Sequence, residues 1–308
     1  MVKIGAKIDE VRIDGDLSRL RRDLESFAAI GLQAVELPVH GLDAIKNGKL
    51  DQRRLQSILT ILQDFDFAYT VHSPNPLNLM DRQVPELHLE VFRSTLQFAS
   101  EVGAKIVVYH AGRFIPEETL HVNGNQKLSP KDEGILLGSE RGYLGLLADA
   151  YPQVNICLEN ARPYVHHSPY CYAEDLEALR EQVELVERPN VRINLDIGHW
   201  HMGARFYDFD LVAPVGNCKD LIGHTHIHDN FGGAVHHYEK LQTHQLPFGR
   251  GDSHMPVGYG AIPFAEILPA YLPGYQGVLI MELRSRYFQR TEESMANLRQ
   301  IISSLEVI

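Results

Sequence analysis

The sequence predicts an α/β fold, a single-domain (β/α)8 TIM barrel over residues 1–308. Three observations carry that expectation. Eight short β-like runs alternate with stretches of helical period, no Pro/Gly/Ser-rich linker or composition break divides the chain, and after the first run nearly every strand ends in His, Asp or Glu. The first two are what a parallel barrel needs, because each return crossover carries its own helix. The third suits a fold whose active site lies at the C-terminal ends of its strands.

Residues 3–8 form the first run, and 17–30 follow with Leu17, Leu20, Leu24, Phe27, Ala28 and Ile30 near helical spacing until Gly31 stops them. Strands are expected at 33–38 (QAVELP), 67–72 (FAYTVH) and 105–110 (KIVVYH), with helices at 50–62 and 85–102 between them. A loop carrying Gly, Asn and Pro is expected over 111–138, a helix over 139–151 and the fifth strand at 154–159 (VNICLE). Leu176, Leu179, Val183 and Val186 give 173–186 one apolar face. Strand 191–196 (VRINLD), a weaker helix within 209–220, strand 221–228, a short helix 262–271, strand 277–283 (GVLIMEL) and a closing helix 292–305 complete the set. A doubly wound open sheet is the alternative, but it expects a Gly-rich phosphate turn after its first strand, and GAKID is not GxGxxG.

With 44% hydrophobic and 22% charged residues, the chain can bury a sizeable core. Its 29 Lys plus Arg against 40 Asp plus Glu leave a net charge of −11, which argues against a general nucleic-acid binder, since those present a basic face. Cys157, Cys171 and Cys218 are widely spaced without a CxxC pair, so no disulfide framework is expected. The opening MVKIGAKIDE lacks the apolar core of a signal peptide, and no run approaches the roughly 18 apolar residues of a membrane span. A cytoplasmic protein without a membrane partner is the expectation.

The strand ends supply Glu36, His72, His110, Glu159, Asp196, His226 and Glu282; DIGH adds His199, and DSH adds Asp252 and His254. Residues 222–260 are the densest stretch, with His224, His226, His228, Asp229, Asp252 and His254. Each has a plain structural role open to it. A lone strand-end His satisfies itself in the core, Glu159 caps a loop, Asp196 caps a helix starting near Ile197, and Asp252 forms a turn beside Gly-Arg-Gly. Convergence decides against those roles, because many buried carboxylates at one rim are costly without cations. Imidazole and carboxylate together suit a divalent metal: zinc, manganese or iron.

Together these motifs resemble the xylose-isomerase-like TIM barrels, which include sugar phosphate isomerases and epimerases and the endonuclease IV family. The resemblance runs from Ile4 to Glu282 and implies an inner metal quartet of Glu159 (ICLEN), Asp196 (NLDIGH), His226 (HTHIHDN) and Glu282 (IMELR). Endonuclease IV-like members carry five further ligands for a trinuclear zinc cluster. His72 (TVHSPNPLNL), His110 (VVYHAG), His199 (DIGHWH), and Asp252 with His254 (GDSHMPVGYG) match those positions. Two departures stand out. Gly232 occupies the place of the substrate-binding Arg that ketose 3-epimerases carry six residues after the quartet His, and the loops RFIPEETLHVNGNQKL, RPYVHHSPYCY and FGGAVHHYEKLQTHQLPF differ from loops that bend a duplex.

Two mechanisms fit the ligands. In the leading one, a sugar isomerase or epimerase, Glu159 and Glu282 remove and return a proton beside a metal-polarised carbonyl through an enediolate, and His199 holds a substrate hydroxyl. The alternative is phosphoester hydrolysis by two or three metals, acting on a small phosphorylated substrate or abasic DNA, which explains His72, His110, Asp252 and His254. A purely structural site would be closed and rich in Cys and His, unlike this set. Substrate contacts are expected from Glu36, Tyr109, Asn160, His201 and Arg284, with Trp200 beside them. His224 and His228 share the strand face of His226 and are placed to orient a ligand, while His236, His237 and His244 lie on a loop that forms either a lid or a solvated surface. The expected partner is a small sugar or sugar phosphate rather than nucleic acid, and a homo-oligomer is compatible with the sequence.

Overall fold

All eight expected strands form: β1 (Lys3–Lys7), β2 (Ala34–Pro38), β3 (Ala68–His72), β4 (Ile106–His110), β5 (Asn155–Glu159), β6 (Val191–Asp196), β7 (Ile222–Ile227) and β8 (Val278–Met281). The structure is a computed structural model describing residues 2–123, 127–238 and 242–305. The strands pair in parallel in chain order, and β8 closes back on β1. Around them lie α1 (Leu17–Ala29), α2 (Gln52–Leu62), α3 (Pro85–Glu101), α4 (Pro130–Ala150), α5 (Leu176–Glu184), α6 (Ile197–Tyr207), α7 (Ala213–Cys218), α8 (Phe264–Ile267) and α9 (Thr291–Leu305).

The two-residue period of the strands divides their side chains between two cores. Outward positions such as Leu37, Val71, Leu158, Leu195 and Leu279 join Leu24, Leu55, Phe92, Leu144 and Leu179 in the large core under the helices. Inward positions build the barrel interior, where Ala34, Val278 and Ile280 form a small separate apolar plug with Ala68 against it. Two residues further along their strands, the same parity gives Glu36, Thr70 and Glu282, so the interior turns from apolar to ionisable towards the C-terminal rim. Strand register then levels the ionisable side chains at the rim. His110 pairs with Glu159, and a register shift between Ile193 and Asn194 brings Asp196 level with His226.

Two elements differ from expectation. Helix α4 starts at Pro130 rather than at 139, because the Ser129 hydroxyl caps the Asp132 N–H and Pro130 occupies the first turn. Those start signals outweigh the helix cost of Gly134 and Gly138. Helix α6 was absent from the expected run of elements and entered only as the structural role open to Asp196, which does cap it, with Oδ1 accepting the His199 N–H at 2.6 Å. No helix of the described residues is long and apolar enough to cross a membrane. Residues 124–126 and 239–241, in the two long loops 111–138 and 229–251, lie outside the described residues.

Candidate metal centre

The site is built on His226. Its Nδ1 lies 3.2 Å from Glu159 Oε2, 3.2 Å from Glu282 Oε2 and 3.8 Å from Asp196 Oδ2, so side chains from β5, β6 and the end of β8 meet the imidazole of β7. The opposite nitrogen, Nε2, is 2.9 Å from Glu36 Oε1. Glu36 Oε2 in turn accepts Thr70 Oγ1 at 3.0 Å and lies 2.9 Å from His224 Nε2. A carboxylate on one imidazole nitrogen fixes the ring and leaves the other free to ligate. Glu36 therefore sits beneath the cluster at 0% exposure, which corrects the expectation that it touches substrate.

Two further groups adjoin the quartet. Glu159 faces both ways: Oε2 lies 3.9 Å from His72 Nε2, while Oε1 lies 3.6 Å from His110 Nε2 and 3.3 Å from His199 Nδ1. Asp252 Oδ2 is 2.9 Å from His254 Nε2 and 3.3 Å from His199 Nε2, and Oδ1 is 3.7 Å from His228 Nε2. Backbone carbonyls hold the far nitrogens, since His72 Nδ1 donates to Ser73 O at 2.7 Å and His254 Nδ1 to Glu282 O at 2.8 Å. His254 holds this position with a left-handed φ of 45°, a backbone strain typical of functional sites. Ligand atoms fall within 4.8 Å of one another in the groups Glu159–Asp196–His226, His72–His110–Glu159 and His199–His228–Asp252–His254.

The donor chemistry fits divalent ions. His226 Nδ1 and His72 Nε2 are buried and make no hydrogen bond among the described residues, and both face the Glu159 carboxylate. Burial opposes protonation of His226, yet Glu36, Glu159 and Glu282 raise its pKa well above the ordinary value. His199 is pushed up to about 10 in the same way, burial being outweighed by Asp196 and Asp252. Carboxylates that draw a proton onto a buried imidazole also draw a cation, and metal binding releases that proton. His72 and His110 behave oppositely, because burial lowers both and leaves them as neutral donors.

Above the cluster opens a cavity of about 480 Å³, lined among others by Lys7, His110, Glu159, Arg162, His199, Asp252, Glu282, Arg284 and Arg286. The profile of the xylose isomerase-like TIM barrel family matches residues 24–305. The chain belongs to that family. It is similar to the uncharacterised protein MJ1311 of Methanocaldococcus jannaschii, 25% identical over 305 residues covering 94% of this chain and 83% of that protein. Among solved structures it is similar to a D-tagatose 3-epimerase-like protein (TM-score 0.71, 21% identity, 99% and 98% of the two chains covered). It is also similar to the E. coli 3-keto-D-glucoside 4-epimerase YcjR in its apo form (0.68, 18%, 97% and 100%). A third is a Thermus thermophilus protein, TTHB071, soaked with ZnCl2 (0.63, 21%, 98% and 98%). At these identities the structural likeness is one of fold.

In this xylose isomerase-like barrel the remaining expected contacts separate. Arg284 lines the cavity, its guanidinium held by Asp252 O at 2.6 Å. Asn160 uses its amide on the Asp196 backbone, donating to O at 3.0 Å and accepting from N at 2.8 Å. Tyr109 points outward into the helix layer, where its phenol meets Glu140 at 3.1 Å and Leu79 N at 2.9 Å, so it does not reach the cavity. His201 also lies away from it, with Nδ1 2.9 Å from Asn230 Oδ1, on the side of α6 facing the loop after β7. Parity explains Tyr109: His110 on the same strand faces inward, so its neighbour faces out. Gly232 has φ 78°, a conformation that strains any side chain, and a Cβ there would have to displace the Arg205 side chain and the edge of the His201 ring.

Sequence reasoning missed two residues and gave a third too small a part. Lys7 Nζ binds Glu282 Oε1 at 2.5 Å and Glu10 at 3.2 Å, leaving Glu282 Oε2 for the His226 side. It ends β1 with inward parity, which is the signal the other strands gave. Arg162 reaches within 3.5 Å of Asp252 Oδ2 and of His199 Nε2, braced by Tyr164 Oη at 2.8 Å. His228 stands 3.1 Å from Asp196 Oδ1 inside the outer ligand group, beyond the orienting role expected of it.

Proposed function

We propose that the protein is a divalent-metal-dependent isomerase or epimerase of a sugar or sugar phosphate. The observation that carries this reading is the carboxylate pair Glu159 and Glu282, from non-adjacent strands, each 3.2 Å from the same His226 nitrogen at the floor of the cavity. Zinc or manganese held by Glu159, Asp196, His226 and Glu282 supplies Lewis-acid polarisation of a substrate carbonyl and its neighbouring hydroxyl. Glu159 and Glu282 remove and return the proton on the carbon beside that carbonyl. Burial would keep Glu282 protonated, but Lys7, His226 and His254 hold its pKa well below the ordinary range, so it stands ionised beside the site. His199 holds a substrate hydroxyl, and Arg162, Arg284 and Arg286 at the wall suit a polar or phosphorylated chain.

The epimerase names of two similar folds support the sugar reading. The net charge of −11 disfavours nucleic acid, and three free, buried cysteines support a cytoplasmic setting. The test is deuterium uptake at the carbon beside the carbonyl when candidate ketoses are incubated in heavy water. Uptake that disappears in Glu282→Gln supports enolisation. Cleavage of a phosphoester without any uptake sinks it in favour of a second reading, multinuclear phosphoester hydrolysis. That second reading rests on the outer group His199–His228–Asp252–His254, which a single-metal isomerase leaves without a purpose.

A further inference from the structure

Five of the histidines outside the barrel cluster gather on loops that rise from the C-terminal rim. His121 is on the single helical turn Leu120–Asn123 after β4, His166 and His167 follow β5, and His236 and His237 follow β7. The last two loops are stitched together by the Val165 N–H on Val235 O at 2.9 Å and a parallel bridge between Tyr164 and Val235. The rings divide into two sets. His236 packs on His166 at 5.0 Å, whereas His237 packs on His167 at 4.3 Å and faces His121 at 6.4 Å.

The second set has an unusual feature. His167 Nδ1 and His237 Nδ1 are both buried and make no hydrogen bond among the described residues. Buried polar atoms are nearly always partnered, so two orphaned nitrogens on touching rings ask for an occupant. Two imidazoles on one tetrahedral ion, with metal–nitrogen bonds of about 2.0–2.1 Å, have ring centres about 5 Å apart. The barrel imidazoles span a similar range, from 3.9 Å for His228–His254 through 5.0 Å for His72–His110 to 6.3 Å for His199–His254. His121 is exposed, its ring 6.4 Å from that of His237, so a shared ion requires the His121 side chain to turn inward.

We propose that His121, His167 and His237 form a second metal site, separate from the barrel centre, which takes a borderline divalent ion such as Zn2+ and ties together the loops after β4, β5 and β7. Its donors are imidazoles alone, a set that suits zinc, copper or nickel and discriminates against manganese, magnesium and calcium. The ion clasps three loops above the cavity and so restricts their opening.

Equilibrium dialysis of the full chain against buffered Zn2+, with bound metal counted by elemental analysis, tests this. The wild-type chain is expected to hold one zinc more than His167→Ala/His237→Ala, and His121→Gln to weaken that zinc at least tenfold. His244→Ala, at an exposed histidine with no ring contact to the set among the described residues, is expected to match the wild type. Dialysis against Mn2+ is expected to give equal counts for all four proteins, and circular dichroism checks that each is folded. Equal zinc counts for the wild type and the double variant overturn the proposal, as does a manganese count that falls in the double variant.

Discussion

Glu36→Gln tests where the cavity ends and the support of the metal begins. The carboxylate is fully buried and bridges two imidazoles, His226 and His224, at 2.9 Å each. An amide of the same shape keeps the Thr70 contact but loses the charge and must turn an N–H2 towards one of the rings. Loss of such a support behind a ligating imidazole weakens metal binding about 10–100-fold, or roughly 1.4–2.8 kcal/mol. With both rings resting on one carboxylate, the upper half of that range is expected. The assay is competition with a chromophoric chelator, run in the His167→Ala/His237→Ala background so that the barrel ions alone are counted. At saturating metal, KM should stay within about twofold of the parent, because Glu36 lies below the ligands. Unchanged metal affinity together with a raised KM would refute this reasoning and return Glu36 to the substrate.

Lys7→Met leaves Glu282 and Glu10 without their shared cation, which should cost about 3–5 kcal/mol in the metal-free protein; calorimetry should find a smaller loss once metal is bound, and equal losses in both states would show that Lys7 and the ion do not share Glu282. Gly198→Ala drives a methyl into the His228 ring, so elemental analysis should find metal lost from the outer group while the quartet ion stays. Glu117 carries a pH prediction: burial would raise its pKa, but Arg162 and Arg113 lower it beneath the ordinary 4.5. Its contribution to stability is therefore complete above about 4.5 and is lost as pH falls through the lowered folded value. Glu117→Gln should lower Tm at neutral pH and flatten its fall in acid, whereas parallel Tm curves for variant and parent would exclude that role.

The barrel was legible because its two periods are written plainly. Outward residues of each strand are apolar and inward ones become ionisable at the C-terminal end, so QAVELP, FAYTVH and VNICLE each announce both a strand and its last inward side chain. The same parity would have excluded Tyr109, which precedes an inward His110, and admitted Lys7, had it been applied to every strand rather than to its last polar residue. Height along the barrel axis is not written in any one strand. Glu36 and His226 look equivalent in sequence, and pairing across neighbouring strands is what sets Glu36 a layer lower. Loop contacts were least legible, since Arg162 and the rim histidines meet their partners through the β5–β7 loop stitch and not through any local period.

The two proposed sites differ in donor chemistry, and that difference would sort the metals they take. Glu159, Asp196 and Glu282 give the quartet a majority of oxygen donors, which tolerate manganese as well as zinc, whereas His121, His167 and His237 offer nitrogen alone. If the proposed rim site is real, zinc per chain would overstate the nuclearity of the barrel site by one ion, while manganese per chain would not. If the manganese form carries more than one ion and still incorporates deuterium into a ketose, then the outer group His199–His228–Asp252–His254 serves an isomerase and its presence no longer argues for hydrolysis. If a single manganese suffices for full exchange, Asp252 and His254 act by holding His199 and Arg162 around the substrate, and His254→Ala should then raise KM without removing metal.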